Sequence, residues 1–434
     1  MFETALRADA RRRIRQIGRA DLVAGIPAYR NAKTIAALVQ QVSMGLAAHY
    51  PDLRTVLVVA DGGSTDDTVA AASAPPMPDN VKRIVTGYHG VTGRGSAVRA
   101  IFQMTMALEA DACIILDGEL KGVPPWWVQA LAGPILSGEY EYVTPYYTYP
   151  RTESGPIDLI AYPLLRALLG RDVRQPTADV LGVSGELAGH FADKDVWETE
   201  VARAGVGVWM TAVAVQEGRR IGQVALGTRR HESREPSSTT DQAFAQMAGT
   251  LFRIAYVFRK TWLTFPAVQP TPVLGSTPLE APDRGILTEA YLGERFRQPS
   301  KRHRRLWQVA LTPEHLDAIR ELQNQPAEGF RFPDDLWARC VYDFVTVYNK
   351  GEADPDRVVE SLIPLCAARQ LAFLQETEGM SVEETERVVA RQAEAFIRQR
   401  PYLRERWEIY VPWASARTPP APEAPSDVRG AGGR

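Results

Sequence analysis

Through the first third of the chain, short apolar runs alternate with longer amphipathic stretches, and most of the runs end in a polar loop. Leu22-Val23-Ala24-Gly25-Ile26-Pro27 predicts a buried strand leaving into a loop, and helical periodicity follows from Ala32 to Tyr50. Thr55 to Ala60 predicts a second strand that ends at Asp61-Gly62-Gly63-Ser64-Thr65-Asp66-Asp67. That loop leads into a helix from Thr68, with Asp66 or Ser64 placed to cap it. Arg83 to Thr86 predicts a third strand and Ser96 to Glu109 a helix. Ala112-Cys113-Ile114-Ile115-Leu116 then reads as a buried parallel strand, too short for a helix, closing on Asp117-Gly118-Glu119. The alternation argues an α/β fold with a parallel, doubly wound sheet.

From Trp126 to Val224 the pattern is mixed. Val143 to Tyr147 predicts a strand and Ile157 to Leu169 a helix, while Val208 to Gln216 fits a buried strand or a helix equally. A Pro- and Gly-rich stretch from Val268 to Gly285 breaks the pattern. Helices are then expected over Pro313–Gln323, Asp334–Asn349, Pro355–Glu376 and Val382–Arg400, the last opened by the capping box Ser381-Val382-Glu383-Glu384. Thr418 to Arg434 is Pro, Ala, Gly and charge, the composition of a disordered tail. The expected organisation is a basic N-terminal helix (1–20), a catalytic domain (21–240), a helical C-terminal region (241–415) and the tail (416–434).

A length of 434 residues is enough for two cores, and a net charge of −2 gives no global pull toward nucleic acid or anionic membrane. Cys113, Cys340 and Cys366 are few and lack metal-type spacing, which fits inert thiols in a reducing cytoplasm. The N-terminal stretch around Arg11-Arg12-Arg13 lacks the apolar core of a secretory signal. No uncharged apolar run is long enough to span a bilayer; the nearest, Thr250 to Val268, is interrupted by Arg253, Arg259 and Lys260.

Four features carrying chemistry fall in order on strand ends or helix starts. Pro27, Ala28, Tyr29 and Asn31 follow the first strand, where exposed amides and carbonyls could read a nucleobase. In the second loop, Asp61 could accept hydrogen bonds from a base or ribose, and Gly63 permits a tight turn. Gly93-Arg94-Gly95 opens a helix, and its amides and guanidinium suit a diphosphate. Asp117 and Glu119 offer hard oxygen ligands for Mg²⁺ or Mn²⁺, and His231, far downstream, could complete that site.

Together, Pro-Ala-Tyr-Arg-Asn, Asp-Gly-Gly-Ser-Thr-Asp-Asp-Thr, Gly-Arg-Gly and Asp-Gly-Glu-Leu resemble a glycosyltransferase of the GT-A fold. Tyr162-Pro163-Leu164-Leu165, Val173-Arg174-Gln175-Pro176, Ser184-Gly185-Glu186-Leu187 and Val208-Trp209-Met210-Thr211 bring the resemblance to the retaining enzymes glucosylglycerate synthase and glucosyl-3-phosphoglycerate synthase, with mannosylglycerate synthase more distant. The resemblance covers about residues 20 to 260. It implies a doubly wound mixed sheet with a Rossmann-like nucleotide-binding half, followed by a mostly helical region. It also implies a UDP- or GDP-hexose donor, Mg²⁺ or Mn²⁺, a small hydroxyl acceptor such as glycerate or 3-phosphoglycerate, and a homodimer. Under it, Pro27, Ala28, Tyr29, Asn31, Asp61 and Gly63 serve the nucleotide, while Gly93, Arg94 and Gly95 serve the diphosphate. Asp117, Glu119 and His231 take the metal positions, and Gly185 and Glu186 lie near the donor sugar, with Glu186 positioning its hydroxyls.

Three positions depart from the family pattern. Arg94 replaces a lysine, Glu119 replaces the second aspartate of the acidic motif, and Ile157 stands where the acceptor loop has a threonine. Asp158, beside it, would repel an anionic acceptor unless it points away. No carboxylate nucleophile is evident, and a same-face displacement needs none. Two other readings share these residues: a nucleotidyltransferase, and a nucleotide-sugar binding or scaffold protein without turnover.

Overall fold

The computed structural model describes residues 4–148, 151, 155–230, 238–264, 267–276 and 287–410. The expected alternation is present as β1 (Leu22–Ala28), β2 (Thr55–Asp61), β3 (Val81–Gly87) and β4 (Ala112–Leu116), with helices Ile35–His49, Thr68–Ser73 and Arg94–Ala107 between them. β1, β2 and β4 are buried along their whole length, so each reads as a continuous apolar run. Neither expected residue is the N-cap of the Thr68–Ser73 helix, which is Asp67 without a side-chain capping bond; Asp66 Oδ1 does accept from the Thr68 amide at 3.2 Å.

The chain continues through β5 (Tyr142–Thr148), β6 (Arg171–Asp172), β7 (Val180–Ser184), β8 (Ile221–Thr228), β9 (Gln269–Pro270) and β10 (Val273–Leu274). Eight strands form one sheet in the order β10-β8-β5-β7-β4-β1-β2-β3, while β6 and β9 make a separate ladder. The pairings in the large sheet are parallel except for β7, which runs antiparallel to both β4 and β5. The α/β sheet is therefore mixed, as the motif resemblance implies, and not wholly parallel as alternation alone suggests. Val206–Gln216 is a helix; its residues from Val206 to Ala214 are all buried, so it has no polar stripe to betray its period.

On one face of the sheet the Ile35–His49 and Trp126–Leu136 helices bury Leu22, Ala24, Ile114 and Leu116. On the other, Arg94–Ala107, Gly185–Ala192 and Val206–Gln216 bury Val23, Cys113 and Ile115. A third apolar cluster joins Leu159–Leu169 to the C-terminal helices, through Phe344, Leu362, Phe373, Val389 and Phe396. Those helices match expectation closely: Pro313–Gln323, Asp334–Lys350, Pro355–Glu376 and Val382–Arg398, with the Ser381/Glu384 capping box formed. The tail from Thr418 lies outside the described residues.

The N-terminal helix, Ala8–Ile17, is held beside the β3 edge. Leu6 bridges to Tyr88, Ala5 accepts from the His89 amide at 2.9 Å, and Thr86 donates to Asp9 at 2.8 Å. All three cysteines are free and buried, and burial pushes the Cys113 and Cys366 thiols up to about 12, which keeps them protonated and unreactive. Among the described residues, no helix is long and apolar enough to cross a membrane.

Candidate functional site

The loops expected to carry chemistry meet at the carboxyl ends of β1, β2 and β4, the usual ligand crevice of an open α/β sheet. Asn31 is buried at their centre. Its Oδ1 accepts from the Tyr29 amide at 2.7 Å, and its own amide donates to Thr68 Oγ1 at 2.8 Å. Gly118 donates to the Pro27 carbonyl at 3.1 Å, and Thr34 Oγ1 donates to the Gly118 carbonyl at 2.6 Å. A Cβ on Gly118 would sit 2.7 Å from Asn31 Oδ1 and 2.8 Å from the Pro27 carbonyl oxygen, so only glycine lets the acidic turn dock on the first loop. The Ala28 carbonyl accepts from Gly62 at 2.8 Å. Pro27, Ala28 and Asn31 are thus fixed in the crevice by backbone contacts, while Tyr29 is 41% exposed with the Arg30 guanidinium over its ring at 5.3 Å.

Asp61 is buried and organises its own loop. Its Oδ2 accepts from the Gly63 and Ser64 amides, both at 2.9 Å, and its Oδ1 accepts from Ser64 Oγ at 2.6 Å. Gly63 has φ 86°, a conformation that favours glycine.

Gly93 and Gly95 serve a purpose the sequence reading missed. The Gly95 amide donates to the Arg203 carbonyl at 3.1 Å, and a Cβ there would lie 1.8 Å from the Val201 carbonyl oxygen. These glycines admit the Glu200–Ala202 turn against the helix start, so the Gly95 amide is already committed and is not available to a phosphate. Arg94 is the member that faces the site. Its Nε donates to Asp117 Oδ2 at 3.2 Å, and its terminal nitrogen donates to the Ala178 carbonyl at 2.7 Å. Ala178 holds φ 47°, a left-handed conformation costly for a residue with a Cβ.

The other Asp117 oxygen accepts from the Glu119 amide at 3.1 Å, and both acidic side chains are partly exposed. Two carboxylates on one turn are a donor set that fits Mg²⁺ or Mn²⁺, and such an ion would take over the charge balance that Arg94 supplies to Asp117. Among the described residues no cluster of three metal-ligating side chains occurs. His231 lies outside the described residues, but the Arg230 carbonyl just before it accepts from the Lys121 amide at 2.9 Å, two residues beyond Glu119.

Gly185 and Glu186 are elsewhere. Because β7 is antiparallel, Ser184 pairs with Ala112 at the start of β4, while Val180 pairs with Leu116 at its end. Gly185 donates to the Asp111 carbonyl at 2.8 Å. From Ala112 to Asp117 the chain rises about 3.3 Å per residue, which puts Glu186 and Asp117 at opposite ends of the strands. Glu186 is 84% exposed and its ion-pair partner is Arg219, at 3.6 Å. The placement of Gly185 and Glu186 near a donor sugar is therefore corrected by strand direction.

The residue that does face the site from β7 precedes the strand. Asp179 is largely but not fully enclosed, its side chain 14% exposed, with Tyr147 donating to its Oδ1 at 2.5 Å and Arg229 Nε 3.0 Å from its Oδ2. Burial pushes this carboxyl up, but Arg229, the Tyr147 hydroxyl and Arg94 outweigh it and hold the group below the ordinary carboxylate range. The signal in the sequence was Thr177-Ala178-Asp179 directly after Arg-Gln-Pro, legible only once β7 is known to run backwards. Asp158 does point away from the crevice: it is buried, and its Oδ1 accepts from Arg174 at 2.6 Å.

A mixed sheet with a carboxylate turn at its carboxyl edge and a helical region beyond it matches the GT-A type of architecture that the motifs suggested. No family model matches the chain. Glucosyl-3-phosphoglycerate synthases of Mycobacterium tuberculosis and Mycobacterium bovis are 29% identical to it over 233 residues, covering 48% of this chain and 66% of theirs. The match thus spans just under two thirds of the length of those relatives. A crystal structure of the M. tuberculosis enzyme in complex with phosphoglyceric acid aligns with a TM-score of 0.43 at 25% identity, covering 56% of this chain and 83% of that one. Its complex with Mn²⁺, UDP and glucosyl-3-phosphoglycerate aligns equally, with the same score, identity and coverage. The sequence similarity bears out the resemblance to glycosyltransferases of the glucosyl-3-phosphoglycerate synthase type.

Proposed function

We propose that the chain transfers a hexose, glucose in the first instance, from a nucleoside-diphosphate sugar to a small hydroxyl acceptor such as glycerate or 3-phosphoglycerate. One observation carries this reading: the Arg94 guanidinium bridges the Asp117 carboxylate and the Ala178 carbonyl beside Asp179. A diphosphate lying against Arg94 would have a metal-type turn on one side and a fixed, largely enclosed carboxylate on the other. The relatives support the donor and the acceptor class: the M. tuberculosis enzyme forms a crystalline complex with Mn²⁺, UDP-glucose and phosphoglyceric acid.

In this scheme Tyr29 and the Asp61 loop receive the nucleoside, and Asp179 accepts hydrogen bonds from hexose hydroxyls. Arg94, held between Asp117 and the Ala178 carbonyl, places a fixed positive charge where charge grows on the departing diphosphate. A divalent ion held by Asp117 and Glu119, with His231 as a third ligand, would supply Lewis-acid neutralisation of that same charge. Tyr147 and Arg229 keep Asp179 ionised and oriented, so it meets the sugar without reorganising. Retention of anomeric configuration follows if the departing phosphate takes the acceptor's proton on the same face.

Calorimetric titration with UDP and Mn²⁺ tests the site. Binding is expected to weaken on the order of a hundredfold when Mn²⁺ is chelated, and Asp117→Ala should abolish the manganese-dependent part. Equal affinity with and without the metal would contradict the assignment of the acidic turn.

A further inference from the structure

The nucleotide-facing loops occupy the ends of β1, β2 and β4, so the side of the crevice left for an acceptor lies toward β5 and β8. Beyond β5, the described residues on that side include Arg151, Gly155 and the Ile157–Ala161 stretch, which contains Asp158. They are held from outside by the C-terminal helices. Arg151 donates to the carbonyl and to Oγ1 of Thr377, the residue that ends the Pro355–Glu376 helix. A Cβ on Gly155 would come within 2.6 Å of the Gln370 side chain of that helix. Gln392, on Val382–Arg398, donates to the Asp158 carbonyl at 2.8 Å, and Trp337 donates to the Leu159 carbonyl at 2.7 Å.

The strongest of these ties is ionic. Arg174, in the Arg-Gln-Pro segment leading to Asp179, is paired with Asp158 at 2.6 Å and makes a bidentate pair with Glu386 at 2.8 Å for each bond. Arg174 and Asp158 are both buried, while Glu386 reaches them from the Val382–Arg398 helix at 26% side-chain exposure. Bidentate pairing fixes angle as well as distance. Glu386 therefore sets the position of the Ile157–Ala161 stretch and the Arg-Gln-Pro segment together. Asp179 has its own anchors in Tyr147 and Arg229, which do not depend on Glu386.

We infer that the Pro355–Glu376 and Val382–Arg398 helices back the acceptor side of the site from outside, and that Glu386, through Arg174 and Asp158, is a positioning residue for acceptor binding. This rests on the transferase reading above. The test is steady-state kinetics of the full-length chain with UDP-glucose, Mn²⁺ and either 3-phosphoglycerate or D-glycerate. Glu386→Gln is expected to raise the acceptor KM about tenfold with kcat and the UDP–Mn²⁺ affinity near wild type. Glu386→Asp should recover part of the loss by restoring the charge. Glu394→Gln removes the ion pair of the same helix with Arg166 and should leave the acceptor KM unchanged. Should Glu386→Gln lose its circular dichroism, Thr377→Val, which removes the hydroxyl contact to Arg151 together with that hydroxyl's bond to the Phe373 carbonyl one turn back, is expected to show the same split between acceptor and donor. Unchanged acceptor KM in the folded variants, or an equal rise for donor and acceptor, overturns this inference alone. A wild-type chain that binds UDP–Mn²⁺ but turns over neither acceptor overturns the transferase reading and this inference with it.

Discussion

Asp179→Asn is expected to slow hexosyl transfer on the order of a hundredfold while UDP–Mn²⁺ affinity stays near wild type. The substitution keeps the size of the side chain and an oxygen for the Tyr147 hydroxyl. It removes the charge opposite Arg229 and turns an N–H toward a cation. In the wild type that charge is secure, because Arg229, Tyr147 and Arg94 together hold the carboxyl in its ionised form despite burial. The nucleotide loops and Asp117 do not touch this side chain, so the loss should appear in kcat and not in nucleotide binding. Glu186→Gln is the matched control: at the opposite end of the strands, exposed and paired with Arg219, it should leave transfer unchanged. If instead Glu186→Gln disables the protein and Asp179→Asn does not, the placement of the donor sugar is wrong.

The second large effect is on stability and reaches the site through the backbone. Gly207 lies in the Val206–Gln216 helix, where its missing side chain faces Thr177: a Cβ would sit 1.4 Å from the Thr177 carbonyl oxygen and 2.3 Å from its carbon. The colliding atoms are backbone, so no rotamer change relieves them. The same helix is fastened to this segment by Thr211, which donates to the Pro176 carbonyl at 2.9 Å. Alanine is the better helix former by about 1 kcal/mol, yet Gly207→Ala should cost about 2–4 kcal/mol net because the helix and the Pro176–Thr177 turn must separate. Thr177 is two residues from Asp179, so the surviving folded fraction should also transfer slowly. Gly133→Ala makes the same chemical change in the Trp126–Leu136 helix, where the nearest atom is the Tyr50 hydroxyl at 3.7 Å, and is expected to be neutral or slightly stabilising. Denaturant midpoints of the two variants give the comparison.

Much of the N-terminal half was legible because each strand from β1 to β4 is an uninterrupted apolar run or a short alternating one, separated by stretches of helical periodicity. The C-terminal helices were legible for a similar local reason: Pro313, Pro355 and the Ser381/Glu384 box mark their starts. What escaped is tertiary. Val180–Ser184 is a five-residue strand with no turn signal before it, and its antiparallel direction leaves no trace in periodicity. The resemblance placed Gly185 and Glu186 near the sugar, and the reversal puts them at the other end of the strands and leaves Asp179 at the site end. Gly93 and Gly95 carry the composition of a phosphate loop, but close approach of the Val201–Arg203 backbone requires the same residue type. Val206–Gln216 was ambiguous because both sides of it are buried.

The most direct measurement of the central claim is product analysis by phosphorus and proton NMR after incubation with UDP-glucose, Mn²⁺ and 3-phosphoglycerate or D-glycerate. The expected products are UDP and an α-linked glucoside, formed only with the metal and lost in Asp117→Ala. Release of pyrophosphate, or UDP–Mn²⁺ binding with no glucoside from either acceptor, would contradict it.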